Sequence, residues 1–131
     1  MIDTWTAELP HGVTLSCRSA GARGRPVLMF LHGFPEAAFA WDDLLAHFAQ
    51  PEHGGYRCVA PNLRGYEHSS SPVDPAAYHA KLLAQDIAAL IAAECGPQGQ
   101  LAALVAHDWG GALAWNLASA RAELMQRLVI I

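Results

Sequence analysis

The sequence predicts an α/β protein with a mostly parallel sheet, and three observations carry that expectation. Residues 26–31, 101–106 and 128–131 are unbroken apolar runs, the pattern of strands buried on both faces. Helical patterns lie between them, as in βαβ units. At 53% hydrophobic and 15% charged, with abundant alanine, the composition suits a packed core with helices lying close on a sheet.

Residues 4–8 and 13–19 alternate weakly around Pro10-His11-Gly12, which predicts a hairpin of two edge strands. The run 26–31 ends at His32-Gly33 and is the first parallel strand. Trp41, Leu44, Leu45 and Phe48 recur at helical spacing, predicting an amphipathic helix over 37–50 and, after Gly54-Gly55, a short strand over 57–60. Residues 61–72 are loop by composition. Asp74 is expected to cap, and Pro75 to open, a helix with the stripe Leu83, Ile87, Leu90 and Ile91, which Gly96-Pro97 stops. The strand over 101–106 passes into an alanine-rich helix opened by Gly110-Gly111 and reaching Ala120, and residues 127–131 begin another strand.

Eight Lys+Arg against twelve Asp+Glu give a net charge of −4, with the basic residues scattered singly, which excludes an electrostatic nucleic-acid surface. No apolar run approaches the roughly 20 residues of a membrane span, and the first five residues lack a signal-peptide pattern, so a cytoplasmic protein is expected. Cys17, Cys58 and Cys95 are odd in number and far apart, fitting structural thiols rather than disulfides or a metal site. No cofactor is called for. At 131 residues the chain is expected to be one folding unit at most, and its apolar ending, Leu128-Val129-Ile130-Ile131, suggests that it is cut there.

Ala106-His107-Asp108-Trp109-Gly110-Gly111 sits where a buried strand passes directly into a helix. A nucleophile elbow needs small residues two before and two after the reactive one, and Ala106 and Gly110 meet that need. The reactive position would be Asp108, a carboxylate attacking carbon to leave an ester on the protein. By itself the hexapeptide also reads as a helix N-cap, where Asp is favoured. His32-Gly33-Phe34-Pro35 favours the elbow, because a backbone N–H after the first parallel strand can complete an oxyanion hole.

With His32-Gly33-Phe34-Pro35-Glu36, Arg64-Gly65-Tyr66 with Ser69-Ser70, and His107-Asp108-Trp109-Gly110-Gly111 in that order, the chain resembles the N-terminal half of an α/β-hydrolase. Within that superfamily it looks like the epoxide hydrolases. The resemblance covers essentially the whole chain. It implies an α/β-hydrolase fold with helices on both sheet faces, residues 1–131 forming a partial core domain that stops before the cap and C-terminal strands. It further implies Asp108 as nucleophile and the backbone N–H groups of Phe34 and Trp109 as oxyanion hole. His32, Gly33, Pro35, His107, Gly110 and Gly111 would be motif and pocket positions, with a cis bond before Pro35. The implied reaction opens an epoxide on Asp108, and a His-activated water then hydrolyses the ester.

The side chains of Phe34 and Trp109 would either line an apolar pocket or pack in the core. Two positions depart from the family pattern: Asn62 stands where aspartate is usual, and Glu67 where a second glycine is usual. Elbow hydrolases place their catalytic histidine after the nucleophile, whereas His11, His32, His47, His53, His68, His79 and His107 all precede Asp108. None of them is expected to be the base.

Haloalkane and haloacetate dehalogenases use the same aspartate attack, and a non-catalytic α/β-hydrolase-fold fragment is the alternative from another class. Phe34 argues against a dehalogenase by occupying the usual place of a halide donor. The expected partner is a small apolar epoxide or halogenated substrate, with no nucleic acid and no membrane; the sequence sets no oligomeric state.

Overall fold

A computed structural model describes all 131 residues. Its strands are β1 (Asp3–Glu8), β2 (Thr14–Ala20), β3 (Val27–Leu31), β4 (Arg57–Pro61), β5 (Ala103–Ala106) and β6 (Leu128–Ile130). Three α-helices connect the later strands: α1 (Asp42–Ala49), α2 (Ala80–Cys95) and α3 (Trp109–Ala120). The sheet order is β1-β2-β4-β3-β5-β6. β1, β2 and β4 pair antiparallel, while β4-β3, β3-β5 and β5-β6 are parallel.

Strand alternation explains why helices cover both faces. Val27, Met29 and Leu31 of β3 point into one core with Ile87, Leu90 and Ile91 of α2 and Leu113, Ala114 and Leu117 of α3. Leu28 and Phe30 point the other way, to Trp41 and to Leu45 of α1. Each fully buried Leu or Ile in these layers stabilises the fold by about 1.5–3 kcal/mol relative to an exposed one. No helix is long and apolar enough to cross a membrane.

Tertiary hydrogen bonds move several boundaries from those the sequence predicts. The helix expected over 37–50 is split, because Ala37 is extended and the Ala38 N–H donates to Asn62 Oδ1 at 2.8 Å. A 3-10 turn, Ala38–Trp41, therefore precedes α1. Asp74 caps only another short 3-10 turn, Pro75–Tyr78, accepting from the Ala76 N–H at 2.9 Å. Arg64 Nη1 takes the Ala77 carbonyl and Tyr78 Oη donates to Pro72, so the chain breaks at His79 and the long helix starts at Ala80. Gly96, at φ +87°, ends that helix as expected. The expected strand 101–106 shortens to β5, with Leu101 making only an isolated bridge to Met125.

Candidate active site

β3 and β5 are parallel neighbours with Leu31 opposite Ala106, so the two chains leave the sheet side by side. The His107 N–H donates to the Leu31 carbonyl at 3.2 Å and ties the two exits together. Asp108, between β5 and α3, is held at φ +58° and ψ −124°, a conformation costly for any residue with a Cβ. It stands at the N-cap position, its carbonyl accepting the Ala112 N–H at 3.1 Å, yet its side chain caps nothing. Oδ2 instead accepts a 3.0 Å hydrogen bond from the backbone N–H of Phe34. No side chain engages Oδ1, and the residue is exposed.

Glycine is required where these segments touch. A Cβ on Gly33 would stand 2.5 Å from Asp108 Cβ and 2.9 Å from its Oδ2. A Cβ on Gly110 would lie 2.5 Å from the carbonyl oxygens of both Leu31 and His32. Gly111 is less constrained, its Cβ position lying 3.4 Å from Ile130 Cγ2. The Phe34–Pro35 peptide bond is cis.

The Phe34 N–H holds the Asp108 carboxyl below the usual carboxylate range. The Trp109 N–H acts in the same direction from a poorer hydrogen-bond geometry, and His107 adds a smaller favourable charge effect. Asp108 is thus ionised at neutral pH. His32 is buried; its Nε2 lies 3.0 Å from the Leu63 N–H and its Nδ1 3.0 Å from the Gly33 carbonyl. Burial lowers its pKa, with both ring nitrogens engaged. His107 lies near Glu36, Nδ1 to Oε1 3.6 Å, and both side chains are about half exposed.

The remaining expectations divide. Cys17 and Cys58 are buried and free, burial pushing each thiol up to about 12, as structural thiols require. The Phe34 and Trp109 side chains are not core: they are 62% and 64% exposed. Trp109 borders an apolar cavity of about 330 Å³ with Tyr66, Tyr78, Leu83 and Leu113. A larger cleft, about 530 Å³, runs along β1, β2 and Phe39 and contains none of the groups around Asp108.

Sequence reasoning missed the buried tie behind this site. Arg64 forks onto Asp86 of α2, Nε to Oδ2 at 2.9 Å and Nη2 to Oδ1 at 2.7 Å. His11 Nε2 reaches the same Oδ1 at 2.8 Å, so this histidine of the β1–β2 turn is not a free surface group. The signal was an acidic residue on a buried stripe, since Asp86 falls three after Leu83 and four before Leu90. Tyr66, read from the sequence only as a motif residue, also borders the site: its ring meets His32 edge-on at 4.6 Å, and burial and the Asp108 charge raise its pKa. Asn62 has a structural part at its position. It accepts from the Ala38 N–H and donates Nδ2 to Ser16 Oγ at 2.8 Å, which an ionised aspartate could not.

An exposed, ionised carboxylate with one oxygen held by a backbone N–H can attack an electrophilic carbon through the other. Once esterified, its carbonyl oxygen would face the same N–H donors.

Comparison with known proteins agrees with this architecture. The family model described as alpha/beta hydrolase fold matches residues 26–131. The chain is 37% identical over 121 residues to the AB hydrolase superfamily protein YfhM of Bacillus subtilis, covering 92% of this chain and 40% of that protein. It is 35% identical over 117 residues to mouse epoxide hydrolase 4, covering 86% and 30% respectively. The crystal structure of epoxide hydrolase VrEH1 from Vigna radiata superposes with a TM-score of 0.87 at 36% identity, covering 98% of this chain and 39% of that one. The chain thus spans well under half the length of these relatives. With the matching model, the six-stranded sheet and the strand-to-helix turn at Asp108 all in agreement, the chain belongs to the α/β hydrolase fold family.

Proposed function

We propose that this chain carries the nucleophile of an enzyme that hydrolyses epoxides to diols. The observation that carries the reading is the Asp108 carboxylate at the N-cap position, turned away from its helix and onto the Phe34 N–H at 3.0 Å. Similarity to epoxide hydrolases supports the choice of substrate class. In the first step an Asp108 oxygen bonds to a ring carbon, the carbon–oxygen bond of the ring breaks, and the departing oxygen takes a proton from water. In the second step a base takes a proton from water as the water oxygen bonds to Asp108 Cγ, the N–H groups of Phe34 and Trp109 stabilise the oxyanion, and collapse breaks the bond from Cγ to the alkyl oxygen, which takes the proton and leaves as the diol. Phe34, Trp109, Gly33 and Gly110 act through backbone geometry, with Trp109 also bordering the apolar cavity.

The second step needs a base. His32 has both ring nitrogens occupied, and no imidazole hydrogen-bonds the Asp108 carboxylate, whose one side-chain bond is to the Phe34 N–H; we therefore place the base outside residues 1–131. The 131 residues alone should therefore stop at the ester.

Incubation with a terminal aryl epoxide such as styrene oxide, followed by mass spectrometry, tests this. The expected product is one adduct per chain, mapped to Asp108, absent in Asp108→Asn and without diol turnover. An adduct elsewhere, or none, overturns the assignment of the nucleophile; sustained diol formation overturns the assignment of the base.

A further inference from the structure

The carbonyl of Gly33 and the N–H of Phe34 belong to one peptide group. Its N–H donates to Asp108 Oδ2 at 3.0 Å, and its carbonyl oxygen lies 3.0 Å from His32 Nδ1. The Leu63 N–H can only donate, so His32 Nε2, 3.0 Å away, is the acceptor and the ring proton sits on Nδ1. Nδ1–H therefore donates to the Gly33 carbonyl. A second donor, the Glu36 N–H, reaches that carbonyl at 2.9 Å and closes the turn.

From this chain of bonds we infer that His32 is a positioning residue for the oxyanion hole: it orients and polarises the Gly33–Phe34 peptide, and so strengthens the Phe34 N–H as a donor to Asp108. Donation to a peptide carbonyl draws electron density from its nitrogen, and hydrogen bonds in series strengthen one another by roughly 10–30% each. The carbonyl, held by the ring, cannot swing away and take the N–H with it. The ring is fixed in turn. Tyr66 stands edge-on against it, and Leu63 precedes Arg64, whose guanidinium is locked onto buried Asp86. Burial disfavours the imidazolium, which would put a proton against the Leu63 N–H. The histidine of the His-Gly-Phe-Pro loop thus acts through the peptide next to it. This inference rests on the proposed role of the Phe34 N–H.

Two substitutions separate orientation from mere packing. In His32→Asn the side-chain amide can take the place of Nδ1–H and donate to Gly33 but cannot accept from Leu63. In His32→Gln the side-chain oxygen can take the place of Nε2 but gives no donor to Gly33. The readouts are the amide proton shift of Phe34 and the titration of Asp108 by carboxyl-carbon NMR, in the full chain. The Gln variant should lose the downfield position of the Phe34 amide and shift the Asp108 midpoint upward, while the Asn variant should keep both near wild type. Equal values in wild type and the Gln variant, or equal losses in both variants, overturn the proposal. Should either variant fail to fold, nitrogen-15 correlation of His32 in the wild-type chain still decides. The Nδ1–H tautomer is expected, and an Nε2–H tautomer or imidazolium at neutral pH overturns it. These outcomes are distinct from failure of the functional reading, which shows as an absent Asp108 adduct in the unmodified chain.

Discussion

Gly33 passes so close to Asp108 that a Cβ at Gly33 would stand 2.5 Å from the aspartate's own Cβ. Neither backbone can yield easily, since β3 and β5 are paired just before them. Gly33→Ala is expected to destabilise the fold by about 1–3 kcal/mol through overpacking and to displace the carboxylate from the Phe34 N–H. Thermal unfolding measures the first effect, and loss of the epoxide adduct the second.

The twist at Asp108 should be visible as a trade of stability against chemistry. Asp108→Gly relieves the positive φ and is expected to raise the melting temperature while abolishing ester formation. Asp108→Asn also abolishes ester formation but retains the strain, so it should melt at or below the wild-type temperature. A lower melting point for the glycine variant than for the asparagine variant would contradict this account.

Stability should also depend on pH through His32. Burial holds the folded imidazole below its ordinary pKa of about 6.5, so as pH falls past that value the unfolded chain takes up a proton before the folded one. This residue costs nothing above that pH. Below it, stability declines until the folded ring also protonates. Urea midpoints measured on either side of about pH 6.5, but above the carboxylate range, should fall toward acid, and less so in His32→Asn.

Asp86→Ala removes the partner of a guanidinium that is itself buried, and is expected to cost about 3–5 kcal/mol. Because Arg64 adjoins Leu63, the same change should weaken protection of the Leu63 amide against hydrogen exchange beyond what global destabilisation accounts for.

Glu67 adopts φ +44° in the loop after β4, a left-handed conformation that glycine takes without penalty. Glu67→Gly should yield a net gain of up to about 1 kcal/mol by chemical denaturation, with the Asp108 chemistry unchanged.

What was legible in the sequence follows from how locally each feature is encoded. The alternation of Val27, Met29 and Leu31 against Leu28 and Phe30 is a property of one strand, and both sheet faces follow from it. The turn at Asp108 is marked by small neighbours within two residues. The start of α2 was not legible, because Asp74 and Pro75 form a valid local cap that Arg64 overrides by taking the Ala77 carbonyl from 13 residues away. Likewise nothing near His11 announces Asp86, which lies 75 residues further along the chain. His32 was readable as a motif member, but its partner Leu63 is a backbone N–H with no sequence signature.

The separation of 74 residues between Phe34 and Asp108 bears on how this site comes into being during folding. No local segment contains both halves, so closing that loop precedes any contact between them. The closure happens when β5 docks beside β3, the same event that completes the centre of the sheet. The carboxylate's hydrogen bond to Phe34 should therefore appear with the slow, long-range phase of refolding, after helices such as α2 have formed. A partly folded chain would carry an ordinary aspartate there, without the ordered amide facing it.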